Sequence, residues 1–123
     1  KVQSAKFLEL EERLGRLGGK LLAQLIPKWV EGKIKALPQD HTQATYTKIY
    51  TSKEGELDFS KSEEAMRKVR AFNPEPGAWI MSHGARIKIL DGEIREGKFF
   101  PTQIIPASRR LMSWADYLRG QRT

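Results

Sequence analysis

The 123-residue chain contains no cysteine. Disulfides and thiolate metal sites are therefore excluded, and the composition fits a reducing, cytoplasmic setting. No apolar run reaches the ~20 residues that span a bilayer, so no membrane partner is expected. No signal-peptide pattern opens the chain. It starts at Lys1 without an initiator methionine, which reads as part of something longer. Histidine is scarce. His41 and His83 belong to no metal-ligand spacing and no triad, and are expected to be solvated loop residues. No glycine loop of the phosphate-cradling kind is present. Gly15, Gly18 and Gly19 in "GRLGG" join two amphipathic runs and follow no strand. Glu63, Glu64, Asp58, Asp91 and Asp116 read as capping, turn-making and solvating groups rather than an acid/base pair.

What the chain does have is positive charge, with a net +7 and a pI near 9.8. Residues 1–35 carry +4, residues 36–60 carry −2, residues 61–85 carry +1 and residues 86–123 carry +4. Two basic blocks thus flank an acidic connector. Two readings follow: a soluble basic protein that binds nothing acidic, or a protein with a polyanionic partner such as nucleic acid. Hydrophobic residues are only 39% of the chain. That predicts a modest core under a highly solvated surface, in one domain or in one small domain with an appendage.

The apolar spacing predicts helices first. Phe7, Leu10, Leu14 and Leu17 recur at steps of three and four, with Ser4 as an N-cap. Gly18 and Gly19 are expected to break that run. A second face follows with Leu21, Leu22, Leu25, Ile26, Trp29 and Val30, interrupted by Pro27. Together these predict a helical hairpin that needs something to pack against. "TYTKIY" (45–50) and "LDF" (57–59) have strand-like composition, around a turn at Gly55. Ser60 with Glu63 has capping-box spacing and opens a helix whose stripe is Ala65, Met66, Val69 and Phe72. "RAFNPEPGAW" (70–79) then stops that helix. Pro74 cannot continue it, Pro76 and Gly77 make a turn, and Trp79 anchors the strand that follows. Strands are expected over 78–81 and 86–90 around "SHG", with Ile87 and Ile89 on one face and Arg86 and Lys88 on the other. Residues 93–95 either continue the second strand or form their own. A strand over 99–105 and a helix capped by Ser113 and Asp116 close the chain, with Met112 and Tyr117 as a hydrophobic staple. Trp29, Trp79 and Trp114 suit a core or interface better than a platform for bases.

The basic groups form the strongest pattern. Arg86 and Lys88 share a strand face, and Arg109 and Arg110 precede the last helix. Lys33 and Lys35 lead into the connector, which holds Lys48 and Lys53. Such a set suits the phosphates of a folded RNA, or is simply a solvated surface.

Several stretches resemble the C-terminal region of the methionyl-tRNA formyltransferase family. These are residues 17–49, "KEGELDFSKS", "VRAFNPEPGAW" (69–79), "RIKIL" and "RLMSWADYLRG", in the order that family uses. The signature residues are Arg70, Phe72, Asn73, Pro74, Pro76, Gly77 and Trp79. The resemblance implies an α+β protein: an N-terminal helical hairpin, then a small abbreviated OB-like β-barrel or sheet with one internal and one C-terminal helix. It implies that residues 1–35 are terminal helices of a missing Rossmann-like catalytic domain, 36–60 a linker and 61–123 the OB-like domain. The family's catalytic groups lie in the missing domain, so no catalytic residue, metal or cofactor is expected in this chain. Formyl-tetrahydrofolate would serve the parent enzyme. Initiator methionyl-tRNA would be the partner, met by Lys33, Lys35, Lys48, Lys53, Arg86, Lys88, Arg109 and Arg110, beside the missing catalytic domain itself. Self-association through residues 7–30 is a further expectation. The sequence departs from the family at Glu75, where a bulky aromatic is usual, and in having only residues 91–110 where about two more strands are usual. Two alternatives stand beside this reading: the tail of a formyltransferase acting on an amino-sugar nucleotide or on folate, and a non-catalytic docking module.

Overall fold

The computed structural model describes residues 6–121, so the Ser4 cap lies outside the described residues. The chain divides into two compact units, one of residues 8–49 and one of residues 50–123 together with the first seven.

The first unit is dominated by helix α1, Phe7–Val30. This corrects the expected hairpin: the helix runs unbroken through Gly18 and Gly19. A glycine costs a helix about 1 kcal/mol relative to alanine but keeps its N–H and C=O, so the hydrogen-bond ladder continues. Pro27 cannot donate to the Ala23 carbonyl, a single lost bond close to the end of the helix, and Gly32 (φ 68°) follows that end. No residue of α1 is buried. Beyond it, Asp40 caps a short 3-10 turn, His41–Gln43. Residues 45–50 form no strand, contrary to expectation, and Tyr46 and Ile49 are exposed. β-Branched and aromatic residues favour a pleated surface only where a neighbouring strand is there to receive them.

The second unit is built on an antiparallel meander. Its strands are β1 (Ala78–Ser82), β2 (Ala85–Arg95), β3 (Lys98–Pro106) and β4 (Met112–Ser113), in sheet order β1-β2-β3-β4. The sheet is open among the described residues. His83–Gly84 and Glu96–Gly97 make the two tight turns, all four at positive φ, the geometry of type I′ hairpins. Residues 93–95 continue β2 through a bulge between Ile89 and Gly92.

Helix α2 (Ser62–Phe72) and helix α3 (Trp114–Gly120) accompany the sheet. Leu57, Ala65, Met66, Val69, Ala78, Ile87, Ile89, Phe99, Ile104 and Tyr117 form one buried cluster. Met112 and Trp114 pack against it, and Ser113 caps α3 by accepting from the Asp116 N–H. The expected cap of α2 is corrected. Ser60 donates its hydroxyl and its N–H to Asp58, and Lys61 holds the cap position without a side-chain bond. The "LDF" segment makes no return strand either. Glu56 forms one isolated parallel bridge to Trp79, and Leu57 N–H donates to the Trp79 carbonyl.

The β3 edge is also occupied. In a two-residue hairpin Arg95 and Lys98 are the hydrogen-bonded pair, so Phe99 and Pro101 turn their backbone groups away from β2. The Phe99 N–H donates to the Ser62 hydroxyl at 2.9 Å, and Pro101 has no N–H.

Candidate nucleic-acid interface

The proline corner, residues 73–77, joins α2 to β1 in the second unit. Phe72 ends α2, and its carbonyl accepts the Gly77 N–H at 2.8 Å. Asn73 is extended, as a residue before proline must be. Its side-chain amide donates to the carbonyls of Val69 and Ile89 at 2.9 Å each, tying the end of α2 to β2. Both proline bonds, Asn73–Pro74 and Glu75–Pro76, are cis. Gly77, at φ 86°, passes under Gly55 so closely that a Cβ on Gly55 would lie 2.0 Å from the Gly77 carbonyl oxygen. No side chain fits there.

Trp79 leads out of the corner. It is buried, but on the sheet face opposite the main cluster, with Met81, Arg86 and Lys88 beside it by register. Its indole N–H donates to the Ser52 carbonyl at 2.6 Å. The Arg86 guanidinium lies 3.9 Å above its ring and donates to the Ser52 hydroxyl at 2.7 Å. Such a stack contributes about 0.5–1 kcal/mol at an exposed site. Lys88 donates to the Pro74 carbonyl at 2.8 Å. Arg86 and Lys88 are therefore engaged in holding the 51–55 turn and the corner. Their alternation off Ile87 and Ile89 was legible in the sequence; their partners, some fourteen to thirty-four residues away in the chain, were not.

The other basic candidates are placed as follows. Lys33 pairs with Glu31 at 2.6 Å, and Lys35 is exposed in the same unit. Lys48 has a partner of its own. Lys53 lies in the 3-10 turn Ser52–Gly55, which Thr51 and Glu54 close as a capping box. Arg109 and Arg110 are exposed in the turn between β3 and β4, where Ser108 has φ 57°. That turn is fastened by the Ala107 N–H donating to the Arg86 carbonyl at 3.1 Å. Arg70 lies in the last turn of α2.

Three carboxyls sit below the usual aspartate range. The Ser60 hydroxyl and then its N–H lower Asp58. The Ser113 hydroxyl and Arg119 lower Asp116. The Thr42 hydroxyl and N–H, then Gln43, lower Asp40. All three are caps or turn formers, and no cluster of three metal-ligating groups occurs among the described residues. No helix among them is long and apolar enough to cross a membrane.

The fold and this face define a small α+β domain, organised around a proline corner clasped by a tryptophan and two basic side chains. Residues 49–105 match the family model described as "Formyl transferase, C-terminal domain". It is 33% identical to a methionyl-tRNA formyltransferase of Streptococcus pyogenes serotype M28, over 90% of this chain and 43% of that protein. A methionyl-tRNA formyltransferase of Streptococcus equi subsp. equi is 35% identical over 82% of this chain and 33% of its own length. The chain spans roughly a third to two-fifths of the curated relatives that it matches.

Proposed function

We propose that this chain is the C-terminal region of a methionyl-tRNA formyltransferase, a one-carbon transferase of the cytoplasm. Its role is to bind and orient initiator methionyl-tRNA for N-formylation at translation initiation. Formyl-tetrahydrofolate and the catalytic groups belong to a separate N-terminal domain, so the chain alone is inert. On this reading residues 1–35 are the terminal element of that catalytic domain, 36–60 the linker and 61–123 the OB-like domain. The observation that carries the reading is the match of 90% of the chain to a protein named for this activity, together with the C-terminal-domain model over residues 49–105. The net charge of +7 supports a polyanionic partner.

The test measures binding of the chain to initiator and elongator methionine tRNA at two salt concentrations, with a formylation assay alongside. Steep salt dependence and no formyl transfer are expected. Formyl transfer by the chain alone would sink the division of labour, and no tRNA binding at low salt would sink the orienting role.

A second reading has its own support. The stripe Leu14, Leu21, Leu25 and Trp29 on α1 is exposed, so a docking or self-associating role through residues 7–30 is also proposed. Mass measured by light scattering against concentration tests it.

A further inference from the structure

The sequence places Arg86 on an outer strand face with Lys88, yet the structure gives it three engagements. Its guanidinium stacks on Trp79, its Nη1 donates to the Ser52 hydroxyl, and its carbonyl accepts the Ala107 N–H. The second engagement fixes the turn that carries Lys53. The third fixes the turn that carries Arg109 and Arg110. Arg86 thus joins two separate loops, and each loop presents cations that no carboxylate among the described residues pairs with. Three other cations of this unit are neutralised locally: Lys68 by Glu64, Arg95 by Glu93 and Arg119 by Asp116.

We infer that Lys53, Arg109 and Arg110 form one phosphate-contacting ridge for a folded RNA, and that the Arg86 side chain is a positioning group that holds the Ser52–Gly55 turn against the strand whose backbone fastens the turn of Arg109 and Arg110. The inference rests on the RNA-holding role proposed above and specifies which residues meet the phosphates. Unpaired cations release counterions on binding; a guanidinium already stacked and hydrogen-bonded gains less. A preorganised pair of loops avoids the ordering cost of binding. Without Arg86 the same contacts form, but from a looser start. Affinity then falls while the number of phosphates neutralised stays the same.

The experiment titrates the full chain with initiator tRNA across a salt series, with thermal melts confirming that each variant folds. The triple variant Lys53→Ala, Arg109→Ala, Arg110→Ala is expected to lose roughly two units of slope in log affinity against log salt, at 0.7–0.9 per phosphate. Ser52→Ala changes no charge, and Arg86→Lys keeps one. Both are expected to weaken binding several-fold at an unchanged slope, and the Ser52→Ala change is expected to add nothing in an Arg86→Lys background. A purely structural serine would shift the melt and leave affinity alone. The inference is overturned if wild type binds and the triple variant keeps the full slope. It is equally overturned if Arg86→Lys and Ser52→Ala bind as wild type while Arg86→Ala loses one contact's worth of slope. Failure of the wild-type chain to bind tRNA at low salt overturns this inference together with the role it rests on, so the two failures are distinct.

Discussion

Val69 in α2 and Val30 in α1 each belong to an apolar stripe on an amphipathic helix, yet one is 1% exposed and the other 78%. Trp79 and Trp29 repeat the contrast at 8% and 55%. The second unit covers its stripes with its own sheet, whereas α1 buries nothing. Periodicity reports that a face is built to be covered. Whether the cover comes from the same chain depends on partners that periodicity does not encode. The contrast separates a unit that buries its own apolar faces from a helix that leaves its stripe exposed.

The sharpest way to break this comparison is to treat the two tryptophans alike. Trp79→Ala is expected to cost about 3–5 kcal/mol in urea unfolding, the range for large-to-small changes at buried aromatics. Trp29→Ala should stay within about 0.5 kcal/mol. Equal losses would show that α1 is as integral as the sheet. Next in size is Asn73→Ala, which frees two carbonyls that the side chain now satisfies. A loss of about 1–3 kcal/mol is expected. Asn73→Asp should be worse, since it sets a carboxylate oxygen against the same carbonyls. Gly77→Ala follows, at about 1–2 kcal/mol for a left-handed alanine, with its Cβ 2.9 Å from the Lys88 Cε. Calorimetry on the three variants would show whether the corner ranks as its contacts suggest.

Acid should sharpen the comparison more gently. The Asp58 and Asp116 carboxyls lie below their ordinary value in the folded chain because hydroxyl and amide donors favour the charged form. Their stabilisation is therefore present above the unfolded value near 3.9 and is lost as pH falls through the lower folded value. Asp116→Asn should flatten the drop in melting temperature below about pH 4; an unchanged acid limb would remove Asp116 from the account. The smallest effect on stability is expected from Leu21→Ser with Leu25→Ser. The melt should not move, and any concentration-dependent increase in mass should disappear. A lower melting temperature would mean the stripe is already in use.

Local chemistry was the legible part. Proline and glycine placed the corner, alternation placed Ile87 and Ile89 inward, and Ser113 with Asp116 placed α3. The turn at His83–Gly84 was visible because two residues ending in glycine link two apolar runs; Glu96–Gly97 carries the same signal in a more charged setting. The misreadings share a cause. Ser60 had cap-like spacing with Glu63, but its hydroxyl found Asp58 instead. Two glycines argued for a break in α1, where the ladder simply continued. Of the basic face, the sequence shows which residues are cationic; only the fold shows that Arg86 and Lys88 are already committed to Ser52, Trp79 and Pro74.

The Ser62–Phe99 bond has a bearing on how this domain survives in company. An open sheet with a bare edge is a template on which another extended chain can crystallise strand by strand. Here the first outward donor of β3 is already occupied by a hydroxyl, and the next position is a proline with none to give. A stray strand arriving at that stretch finds no consecutive donors to copy. Crowding therefore leaves this end of the sheet a poor seed for fibres, although Phe100 beside it is exposed.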